Sequence, residues 1–83
     1  MNKVEILQSS LAARNDEILG YQLNIDNYIR AIAKINAEYF NNIAIVDFGA
    51  NLSRLLEEHK TEQLKAIIIR DVIADQLTEL EVS

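Results

Sequence analysis

His59 is the only imidazole in a chain that has no cysteine. General-base or nitrogen-ligand chemistry would therefore have to run through this one residue. A di-iron helical bundle needs Glu-x-x-His at i, i+3, and the position three before His59 is Leu56. One imidazole without thiolates is a poor donor set for a transition metal, and the plain reading is a polar histidine in a helix seam. Ser9, Ser10, Ser53 and Ser83 lie in no Gly-x-Ser-x-Gly elbow. Gly20 and Gly49, the only two glycines, stand apart and build no phosphate loop. Glu57-Glu58 and Asp71 with Asp75 do pair carboxylates. Acid/base work needs a sequestered pocket to separate their pKa values, and these positions read as helix surface. The expectation is a non-enzymatic chain with no cofactor and no metal.

Charge narrows the partners. Thirteen acidic and eight basic residues give a net charge of −5, which repels phosphate backbones and anionic headgroups. Neither nucleic acid nor membrane is an expected partner. Arg30 and Lys34 sit one turn apart, with Asp26 and Glu38 at helix-pairing distance. The longest apolar run is four residues, far below the roughly 20 of a membrane span. Met-Asn-Lys-Val-Glu shows no basic stretch leading into an apolar one, so no secretory leader is expected. The default is a single cytoplasmic domain over 1–83.

Two features rise above this background. After Arg70 every charged residue is acidic, and Asp71, Asp75 and Glu79 repeat at i, i+4, i+8 on one helix face. Acid there opposes the helix dipole, so the strip is either a solvated face or a docking strip for a basic surface. The second feature is a ladder of Tyr21, Tyr28 and Tyr39. Tyrosine is at home both in cores and at interfaces.

The elements that would position these residues follow from periodicity. Val4, Leu7, Leu11, Arg14, Ile18, Tyr21, Ile25, Tyr28, Ile32, Ile35 and Tyr39 are spaced 3, 4, 3, 4 throughout, and Arg14 is the one exception to apolarity. That is a coiled-coil-like seam. The spacing predicts an all-α long helical hairpin: a helix over about 3–40, a turn at 41–42 and a second helical segment over about 43–81. Asn41-Asn42 suits a left-handed helix end. Ile45, Phe48, Leu52, Leu55, His59, Glu62, Ala66, Ile69, Ile73, Gln76 and Leu80 give a second series. Residues 43–50 read as helix, with an extended connector as the alternative, and Asp47 or Asn51 could cap. Polar residues at 58–61 leave open a break near 59–61 with Thr61 as cap.

A hairpin buries one face per helix. Helix one has a further stripe of Ala12, Leu19, Leu23, Ala33, Ala37 and Phe40, and Leu64 to Leu80 is apolar nearly all round. Self-association into a helical bundle, most simply a homodimer, would keep both dry. The expected interface comprises Ile18, Tyr21, Ile25, Tyr28, Ile32, Ile35, Tyr39, Leu64, Ile68, Ile69, Val72 and Ile73. Antiparallel helices turning at 41–42 set Arg14 opposite the turn containing Asp71, which predicts an Arg14–Asp71 ion pair within one chain or between chains.

These residues specify an architecture and a mode of association, not a partner. The functional expectation is a non-catalytic protein–protein interaction module: an oligomeric scaffold or assembly subunit, or a small regulator docking on a larger protein. The alternative is a small acidic inhibitor, of the phage accessory type, that occupies a basic or nucleic-acid-binding surface.

Overall fold

In the computed structural model, which describes residues 2–82, two long helices pack along each other. α1 spans Lys3–Glu38 and α2 spans Ile43–Val82. No described residue forms a strand, and no helix is long and apolar enough to cross a membrane.

Local chemistry sets the ends. The Asn2 side chain accepts the Glu5 N–H at 2.8 Å, and its amide donates to the Glu5 carboxylate at 3.3 Å. This satisfies an amide that the first helical turn leaves open. α1 stops two residues before the expected Phe40. Tyr39 caps it at φ −127°, with its N–H bonded to the Ile35 carbonyl. Asn42 then donates to the Tyr39 carbonyl at 3.0 Å, closing a tight turn. Among the described residues none has positive φ, so Asn41-Asn42 does not end α1 in the left-handed conformation. Asn42 works as a cap instead, its side chain accepting the Ile45 N–H at 3.2 Å. The expected caps Asp47 and Asn51 instead lie inside α2, which starts ahead of both. With α2 nucleated at Ile43, residues 43–50 are helix and not a connector.

α2 also runs unbroken through 59–61. Thr61 does not cap a new helix; its hydroxyl donates back to the Glu57 carbonyl at 3.1 Å. Glu58, Lys60 and Thr61 face water and His59 faces α1, so the polar stretch needs no break to stay hydrated.

The result is a rod of 62 × 16 × 15 Å. Every position of the α1 seam from Val4 to Ile35 is buried or half-buried. Tyr39, beyond the end of the helix, is exposed. On α2 the inward positions are Ile45, Gly49, Leu52, Leu56, His59, Gln63, Ala66, Arg70, Ile73, Leu77 and Leu80. Six of these match the expected series. Phe48, Glu62 and Ile69 are exposed, and Leu55 and Gln76 are flanks. The cause is register. Ile35 packs on Gly49, where a β-carbon would lie 3.4 Å from Ile35 Cγ2. In an antiparallel pair each step of three or four along α1 must be matched by an equal step back along α2. Starting from Ile35 on Gly49, the partners of Ile32, Tyr28, Ile25, Tyr21 and Ile18 are Leu52, Leu56, His59, Gln63 and Ala66.

Candidate interaction surface

At mid-rod the seam turns polar. The His59 ring lies between two tyrosines, edge-on to Tyr21 at 5.8 Å and to Tyr28 at 5.1 Å between centroids. Its Nδ1 is buried and has no hydrogen-bond partner. One turn on, the Gln63 amide donates to the Ile18 backbone carbonyl at 3.3 Å and to Gln22 Oε1 at 2.9 Å. Both helices therefore share hydrogen bonds here as well as apolar area. Among the described residues, no three His, Cys, Asp or Glu side chains are gathered to hold a metal ion.

Two arginines follow. The register sets Arg14 level with Arg70. Each head group leaves the seam to find a carboxylate on its own helix: Arg14 to Glu17 at 2.6 Å, Arg70 to Asp71 at 3.1 Å. The expected Arg14–Asp71 pair is not made within the chain. Arg70 takes the inward position, and Asp71, one residue round the helix, points to water. Long aliphatic stems let both guanidinium groups stay hydrated beside apolar neighbours.

The two broad sides of the rod differ. Ala31, Lys34, Ile35, Tyr39, Ile45 and Phe48 line a shallow hollow on one side. Ser10, Glu17, Glu62 and Lys65 share that side further along. There Lys65 holds Glu62 at 2.9 Å, and this hydrogen bond, with the carboxylate's charge, raises the Lys65 ammonium above its ordinary pKa. The Gln22–Gln63 bridge marks the opposite side, where Leu19, Ile29, Val46 and Leu64 are exposed.

The residues expected at an oligomer interface fall into three groups. Ile18, Tyr21, Ile25, Tyr28, Ile32, Ile35 and Ile73 are consumed by the hairpin itself. Leu64, Ile68 and Val72 stay exposed, along with Tyr39 at the cap. Ile69 is exposed too, and with Val72, seven residues after Lys65, it lies on the side of the Lys65–Glu62 pair. Asp71, Asp75 and Glu79 all face solvent, and only Asp71 has an ion-pair partner among the described residues. The sequence reading missed Gly49, Leu56, Gln63, Arg70 and Leu77 in the α2 seam. Mirroring the α1 spacing about the turn would have found them.

Compared with known proteins, the chain matches no family model, no curated protein and no solved structure.

Proposed function

We propose that the chain is a non-catalytic helical interaction module, a coiled-coil-like scaffold or regulatory hairpin that works by laying its free faces along other helices. One observation carries this reading. Among the described residues fourteen large hydrophobic side chains are exposed, and the buried hydrophobic residues of the seam, from Ala66 to Ile73, still retain 4–9% of their surface. A two-helix rod encloses no sealed core, and small chains with little buried area need additional contacts. The apolar faces are what such contacts would cover.

Asp75 and Glu79, exposed and without ion-pair partners among the described residues, support a second reading: an acidic hairpin that occupies a basic surface of its target. Salt separates the two. A tagged chain is used to capture partners, which are identified by mass spectrometry and washed at about 0.5 M salt, where the Debye length is only a few Å. Retention with loss on Leu23→Glu supports the apolar module. Release by salt, together with loss on Asp75→Asn and Glu79→Gln, supports the acidic alternative.

A further inference from the structure

Leu7, Arg14, Tyr21, Tyr28 and Ile35 turn inward on α1, and Gly49, Leu56, Gln63, Arg70 and Leu77 turn inward on α2. Each set steps by seven residues, and Asn42 falls seven after Ile35 and seven before Gly49. One heptad column therefore crosses the turn without losing phase. A turn one residue longer or shorter would keep every pair of the hairpin and break this column. The other seam column only changes flank, from the series Val4 to Ile32 to the series Ile45 to Leu80. With the turn made helical, both seams would form a single stripe along one helix, of the kind that coiled helices bury.

The turn is chemically ready to be helix. Tyr39-Phe40-Asn41-Asn42 holds neither glycine nor proline, and no described residue has positive φ. Helical bonds reach it from both sides: the Tyr39 N–H donates to the Ile35 carbonyl and the Val46 N–H to the Asn42 carbonyl. Between them the Asn42 N–H reaches back only to the Tyr39 carbonyl. Straightening this segment would supply helical partners for the amides and carbonyls that two helix ends leave open.

A straight helix would leave its whole stripe wet, so it needs a partner. Register names that partner. Level residues of the hairpin have numbers that sum to 84, as Ile35 and Gly49 do. That sum is twice the number of Asn42. Two straight copies lying antiparallel, Asn42 beside Asn42, would therefore remake every pair of the hairpin between chains. The bonds from Gln63 to the Ile18 carbonyl and to Gln22 recur among them. Tyr39, 43% exposed in the hairpin, would gain a level neighbour in Ile45 of the second copy.

We propose that the hairpin opens at Tyr39–Asn42 and exchanges its second helix with another copy, giving an antiparallel dimer of two straight helices. The exchange concerns the packed seam and not the free faces of the interaction-module reading, which stands or falls apart from it. Since the chain has no cysteine, spin labels at Lys3→Cys and Glu81→Cys, both exposed and level with each other, read the exchange directly. After refolding at about 100 μM, sedimentation equilibrium should give twice the chain mass of 9.4 kDa. A chain carrying both labels, diluted into unlabelled chain, gives a distance of about 20 Å if it is a hairpin, from helix spacings of 8–10 Å plus the label arms. In the exchanged dimer that distance should vanish, because the two labels lie about 115 Å apart along one straight helix. It should reappear when singly labelled chains of the two kinds are refolded together. Two glycines inserted after Asn41 break the column, spare the hairpin pairs and weaken a continuous helix, so that variant should be a folded monomer. Asn42→Leu removes the α2 cap and fills the centre of the column, and should tighten the dimer about tenfold. A monomer at about 100 μM, a diluted double label that keeps its short distance, or a dimer indifferent to the glycine insertion would each overturn the proposal.

Discussion

The seam near the turn and the seam near the open end are built to different standards. Toward the turn, Ile25 and Ile35 on α1 and Gly49 and Leu52 on α2 are buried, and Tyr28, Ile32, Ile45 and Leu56 beside them are half-covered. Toward the open end α2 still buries Ala66, Ile73 and Leu77, but Val4, Leu7, Leu11 and Ile18 on α1 are only half-covered. Arg14 and Arg70 interrupt that half, their side chains 41% and 35% exposed. One continuous heptad spacing can therefore hold two regions of unequal cohesion, because packing density follows the side chains that fill the layers and not the period that aligns them. Local opening should begin at the open end.

The largest expected effect tests this difference directly. Ile25→Ala should destabilise the fold by about 3 kcal/mol in urea unfolding, and the half-exposed Leu7→Ala by about 1 kcal/mol or less. Equal losses would erase the distinction between the halves. Next comes the tightest approach. At Gly49 a first carbon just fits, at 3.4 Å from Ile35 Cγ2, and two further methyls do not. Gly49→Val should cost about 2 kcal/mol through overpacking, visible as a lowered Tm. The arginine layer predicts the opposite sign. Arg14→Leu combined with Arg70→Leu should stabilise the chain by about 1 kcal/mol, since surface ion pairs are weak and the leucines add apolar area. It should also slow amide exchange in the open half. A net loss would mean that the arginines hold the open end together. The smallest effect belongs to Gly20, where a β-carbon meets nothing within 4 Å. Gly20→Ala should raise stability by up to about 1 kcal/mol from helix propensity alone.

The α1 seam was legible because ten of its eleven seam residues from Val4 to Tyr39 are apolar. Only Tyr39 fell away, since the turn closes on it. The α2 seam was half legible. Phe48 and Ile69 attract attention as apolar residues, yet Gly49 and Arg70 hold the inward places. Apolarity tells which residues gain from burial; the geometry of the turn decides which can be buried. The continuity of α2 past His59 was hidden for a related reason, as Glu58, Lys60 and Thr61 look like a break in sequence but lie on the wet face. The Arg14–Asp71 pair failed by a single residue, which in a helix is a rotation of about 100°. The exposure of Leu64, Ile68 and Val72 was readable because apolar residues lie nearly all round that segment and one packed face cannot bury them all.

The slenderness of the rod governs how it moves through solvent. Its radius of gyration is 18.4 Å, against about 12 Å for a compact chain of this length. Tumbling and translational drag depend on length more than on mass. A single hairpin would leave a gel-filtration column ahead of globular standards of its own weight, mimicking a larger particle. A side-by-side pair would double the forward scattering while raising the radius of gyration by only about 1 Å, given helix spacings of 8–10 Å. An end-to-end pair would raise it about twofold. Scattering intensity and angular decay together thus separate these species where elution volume confuses them.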